Sequence, residues 1–69
     1  MFKLLTPRET GRALGVSVHT LANWRAAGRG PAFLRIGRGR VRYREVDLSA
    51  FVAGHLVHPR VVGAAAGTA

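Results

Sequence analysis

The sequence contains no cysteine. Disulfides and Cys-based zinc sites are excluded, and a reducing compartment suits the chain. Acid is almost as scarce. Three Asp and Glu stand against eleven Lys and Arg, for a formal charge of +8. Carboxylates are too few for an acid–base pair, and Ser17 and Ser49 have no nucleophile motif around them. Catalysis therefore has no candidate residues, and the chain is expected not to be an enzyme. His55 and His58 lie three apart, but a metal site needs more ligands, so no metal or cofactor is expected. Gly37–Gly39 lacks the Lys-Ser/Thr sequel of a nucleotide-binding loop. No apolar run approaches the roughly 20 residues that cross a bilayer. The stretch from Met1 to Pro7 is too short and mixed for a signal peptide. The expected location is the cytoplasm, without a membrane partner. A chain of 69 residues allows one domain, and so small a core is marginal without help from a partner.

Arginine is what the sequence has in excess: ten of its eleven cations. The planar guanidinium matches phosphate and guanine edges better than an ammonium does. A charge this high on a short chain repels itself, and a polyanion relieves the repulsion. Nucleic acid is the first candidate partner, ahead of an anionic membrane. Composition alone leaves a basic RNA-bound protein open.

The elements follow from local punctuation. Thr6-Pro7-Arg8-Glu9 has capping-box spacing with Pro at the first helical position. It predicts a helix from Pro7 to Leu14, with Leu5 as a staple, Ala13 and Leu14 inward, and Arg8, Glu9 and Arg12 outward. Gly11 weakens that helix and implies close packing or close approach to a phosphate. Gly15 ends it, Val16 turns inward, and Ser17 caps a second helix from Val18 to Ala27, closed by Gly28. Two helices joined by a short glycine-containing turn form the helix-turn-helix pattern. After the breakers Arg29-Gly30-Pro31, Ala32–Ile36 reads as a strand, Gly37–Arg40 as a turn, and Val41–Tyr43 as the returning strand. A last helix, Glu45 to Gly54, carries Val46, Leu48, Phe51 and Val52 as a buried stripe and turns its acids away from any polyanion. Residues 1–55 are thus expected to form one domain, and 56–69 a loosely ordered Ala- and Gly-rich tail.

On the second helix, Leu21 marks the buried side, flanked by Val18 and Trp24. His19 and Asn23 lie opposite, with Thr20 beside them and Ser17 at the exposed N-terminus. Asn pairs bidentately with adenine in a major groove, and Ser and Thr meet phosphate or base. Arg25 falls near the buried side and reaches a phosphate by snorkelling. The turn between the strands carries Arg38 and Arg40, which suit the strongly negative potential of a narrow minor groove. Arg35 and Arg42 on the strands reach the flanking backbone.

These runs resemble a known family. Leu5-Thr6-Pro7-Arg8-Glu9, Leu14-Gly15-Val16-Ser17, Thr20-Leu21 and Trp24-Arg25 are similar to the first half of the small winged-helix excisionase and MerR-like DNA-binding family. Gly28-Arg29-Gly30-Pro31, Ile36-Gly37, Val41-Arg42-Tyr43-Arg44 and Asp47-Leu48 with Phe51 fit its second half. The resemblance covers residues 4–54. It implies a small α+β winged helix-turn-helix: a two-helix motif, a two-stranded β-hairpin wing and a C-terminal packing helix. It implies recognition-helix contacts from Ser17, His19, Thr20 and Asn23, and wing contacts from Arg38 and Arg40. Ala22 and Ala26 depart from its pattern, which often has basic residues there. A dimerisation helix and an effector domain, which MerR-type regulators carry, are not seen in the sequence. The resemblance therefore points to a phage excisionase. Such a protein binds repeated sites side by side, bends double-stranded DNA and steers an integrase, a tyrosine or serine recombinase, toward excision. The alternative is a small MerR-like transcriptional regulator at a promoter or operator. The helix-turn-helix spacing disfavours RNA, because an A-form major groove excludes a helix.

Overall fold

Residues 3–59 are described by a computed structural model. In chain order they form β1 (Leu4–Leu5), α1 (Pro7–Leu14), α2 (Val18–Ala26), β2 (Leu34–Ile36), β3 (Arg40–Arg44) and α3 (Glu45–Ala53). The expected tail lies outside the described residues from 60 onward. Residues 56–59 are irregular and exposed.

The helix ends follow the local chemistry. Glu9 N–H donates to Thr6 Oγ1 at 3.1 Å, and Thr6 N–H donates to Glu9 Oε1 at 2.9 Å, closing the capping box. Gly15 ends α1 in the left-handed conformation. Thr20 N–H donates to Ser17 Oγ at 3.0 Å and starts α2. The backbone hydrogen bond from Thr6 holds the Glu9 carboxyl below its usual range, and Lys3 and Arg42 add to the effect. Hydrogen bonds from Arg44 Nε and Nη2 do the same for Asp47 at the start of α3. Both carboxylates favour the folded state while ionised. Their contribution is complete above the ordinary carboxylate range and disappears as pH falls through the lowered values. The melting temperature is therefore expected to fall on acidification below about pH 4.5. The combined E9Q and D47N variant should show a flatter acid limb. An equally steep limb in that variant would place the acid-sensitive groups elsewhere.

Gly11 is a matter of space. A Cβ there would sit 2.6 Å from the Val16 carbonyl oxygen and 3.6 Å from Leu21 Cδ1. Val16 N–H also donates to the Gly11 carbonyl at 2.9 Å, so the turn folds directly onto the helix. Close packing is thus the one of the two readings open for Gly11 that the structure supports. Gly11→Ala gains about 1 kcal/mol in helix propensity and loses about 1–3 kcal/mol to overpacking. A net loss of about 1 kcal/mol in urea unfolding is the expected result. A net gain would mean that the turn yields.

The sheet differs from expectation. It has three antiparallel strands in the order β1-β3-β2, not two. β1 pairs Leu4 with Arg44 and Leu5 with Tyr43. Leu5 is thereby drawn into the core with Val41 and Tyr43, against which Phe33 and Leu48 pack. Arg40 belongs to β3, paired with Ile36, so the tip is the three-residue turn Gly37-Arg38-Gly39. Three other inward assignments are corrected. In α1 the buried residues are Thr10 and Gly11, while Ala13 is exposed. Val18 is 48% exposed because burial on α2 centres on Leu21, Trp24 and Arg25. Of the four apolar residues of α3 expected inside, only Leu48 and Phe51 are half-buried; Val46 and Val52 face outward.

Candidate nucleic-acid interface

Two elements carry the candidate residues, and each is positioned by the fold beneath it. α2 is anchored by Leu21, which is fully buried. It rests on α3 through Trp24, whose ring centroid lies 5.8 Å from that of Phe51. This anchoring leaves the opposite face of α2 outward. Ser17, His19 and Asn23 are exposed, and Thr20 is half-buried. Ser17 Oγ donates to Thr20 Oγ1 at 3.0 Å while it accepts from the Thr20 backbone. The Ser17 hydroxyl proton is thus committed, and the Thr20 hydroxyl proton stays available to an acceptor. Neither His19 nor Asn23 has a side-chain hydrogen bond among the described residues.

The ribbon of β2 and β3 places its arginines by strand alternation. Directly paired residues share a face, and successive residues alternate. Arg35 pairs with Val41, so it lies on the helix-facing side with Tyr43 and Leu5. Arg40 and Arg42 lie on the other face with Ile36 and Leu34. Arg38 stands alone at the tip between Gly37 (φ 63°) and Gly39 (φ 73°). Both glycines adopt a left-handed backbone that side-chain-bearing residues avoid, and nothing lies within 4 Å of either missing Cβ. The tip is consequently thin and open. Arg35, Arg38 and Arg40 are exposed. Arg42 is half-buried and donates from Nη1 to the Val41 carbonyl at 2.8 Å.

Most charges on this surface are unpaired from within. The bidentate Arg44–Asp47 contact is the one ion pair among the described residues. Of the three acids, Asp47 is engaged there and Glu9 in the α1 cap. Among the described residues no carboxylate forms an ion pair with Arg25, Arg35, Arg38 or Arg40, whereas Arg42 acts on the Glu9 carboxyl.

A family model described as a helix-turn-helix domain matches residues 4–55. The chain belongs to the helix-turn-helix domain family. Its match runs from β1 to just past α3, so the ribbon and the last helix are part of the helix-turn-helix domain and not additions to it. The small α+β fold is that of a winged helix-turn-helix, and the family assigns it to DNA binding. No curated protein and no solved structure matches the chain. No helix among the described residues is long and apolar enough to cross a membrane.

Arg25 occupies an unforeseen setting in the helix-turn-helix domain. Its Nη1 donates to Tyr43 Oη at 2.8 Å, and its guanidinium carbon lies 5.7 Å from the Phe33 ring centroid. Arg35 lies at the same 5.7 Å from that ring. Sequence reasoning placed Arg25 toward the buried side but missed Tyr43 and Phe33 as its partners. The available signal was the inward register of Tyr43, two residues from Val41 in an alternating strand.

Proposed function

We propose that the chain is an architectural DNA-binding factor of the excisionase type. It binds double-stranded DNA with sequence preference, bends it, and directs a phage integrase, a tyrosine or serine recombinase, toward excision. Ser17, His19, Thr20 and Asn23 enter a major groove, with Arg25 on the adjoining phosphates. Arg38 enters the neighbouring minor groove, with Arg35, Arg40 and Arg42 along the flanking backbone. The observation that carries this reading is an arginine ribbon whose exposed Arg35, Arg38 and Arg40 have no ion pair among the described residues, in a chain whose α2 presents an outward polar face. Arginine suits a narrow minor groove because the negative potential is strongest there, and the sequences that narrow or bend most easily are then preferred.

The excisionase reading is also supported by the resemblance of residues 4–54, and by helix length. No helix among the described residues exceeds nine residues, so none there offers a coiled-coil seam. Side-by-side binding of monomers on repeated sites fits that arrangement, and the site of action is the DNA in the host cytoplasm. An excision assay with the cognate integrase and attachment-site DNA is the test. Excision that requires this chain supports the role. Unchanged excision, together with occupancy of a single promoter site, would make it a small MerR-like regulator instead.

A further inference from the structure

We propose that Tyr43 and Phe33 are positioning residues that lock the recognition helix to the wing through Arg25, so that both elements meet DNA as one body. This rests on the DNA-binding reading above. Elsewhere α2 leans on α1, where Leu21 meets the Gly11 turn, and on α3, where Trp24 meets Phe51. Arg25, in the last turn of α2, is its bridge to the ribbon. The far end of that bridge is rigid. Tyr43 is fully buried in β3, and the Phe33 ring packs against it at 6.2 Å and 55°. Water cannot easily replace Arg25 at so buried a phenol, and hydrogen bonds from charged donors are stronger than neutral ones. The Phe33 ring receives Arg25 from the helix and Arg35 from β2, so one aromatic surface orders a cation from each element.

The choice of partner is informative. A strut with a purely structural role would be served by a neutral amide, or by an arginine neutralised with a carboxylate. Here a half-buried guanidinium is given a neutral phenol, and no acid cancels its charge among the described residues. Its remaining N–H groups are not buried, so an anion can reach them. Nε and Nη2 of Arg25 remain as donors toward that anion. A backbone phosphate at the junction of the two grooves fits the requirement. Arg25 thus ties helix to ribbon and presents a fixed cation between them.

Duplex affinity of the full chain for its selected site tests the coupling. Y43F removes the hydroxyl and keeps the ring. It is expected to weaken binding about threefold to tenfold without changing the preferred sequence. In the Y43F background the additional loss from R38A/R40A should be smaller than in the parent, because a loosened wing contributes less. Amide order parameters at Arg38 and Gly39 should also fall relative to those of α2. If Y43F does not fold, R25M, which removes every donor and leaves the buried phenol in place, gives the same test of additivity and of order parameters. Strictly additive losses with unchanged order parameters would overturn the coupling alone. Unchanged affinity in both N23A and R38A/R40A would overturn the DNA-binding reading and the coupling with it.

Discussion

Replacing Arg38 and Arg40 together with Ala is expected to lower duplex affinity about thirtyfold at low salt, from about 1 kcal/mol for each lost contact. The same change should reduce the slope of log K against log salt by about 2, because each neutralised phosphate releases roughly one counterion. The effect belongs to the ribbon's geometry. Arg38 sits on a three-residue turn between two left-handed glycines, and Arg40 closes that turn opposite Ile36. Neither has an acidic partner among the described residues, so neither has to leave an internal contact before it meets DNA. The core cluster of Leu5, Val41 and Tyr43 includes neither residue, and the melting temperature should stay near that of the parent. A reduced affinity with an unaltered salt slope would mean that the tip acts through something other than charge.

Asn23→Ala should act differently. Its cost is expected to be about 1–3 kcal/mol, or roughly five- to 150-fold, at the preferred site, with preference blurred at one base pair. Asn23 is exposed on α2, and its amide is unspent among the described residues. Binding to random duplex should barely change, because that term is carried by charge. Selection from a randomised duplex pool reads both quantities at once. The same preferred sequence for parent and variant would remove Asn23 from base readout and move specificity to other residues on the outward face.

How much of this was legible in the sequence depended on distance along the chain. Caps are local chemistry. Thr6, Glu9, Gly15 and Ser17 each act within a few residues, and they fixed α1 and the start of α2 correctly. β1 was invisible for the opposite reason. Two residues, Leu4 and Leu5, carry no period, and only pairing with Arg44 and Tyr43 makes them a strand. Apolar spacing marked Leu48 and Phe51 in α3, but spacing cannot say whether a neighbour exists, so Val46 and Val52 were wrongly placed inside. Arg25 shows both sides of the problem. Its angle on α2 follows from helical geometry, whereas its partner lies 18 residues away on β3. The ribbon was readable as a hairpin from its glycines. Its register was not, and Arg40 moved from the turn into the strand, with Arg35 on the face opposite Arg40 and Arg42.

Chemical footprinting on a selected duplex reads both contact surfaces directly. Guanine N7 reports the major groove and adenine N3 the minor groove. A helix in one groove with a wing in the next should protect guanine N7 at the site's centre and adenine N3 about half a helical turn away. N23A should weaken the first protection, and R38A/R40A should erase the second. Bound duplex whose minor groove stays fully reactive throughout would contradict simultaneous engagement of α2 and the arginine tip.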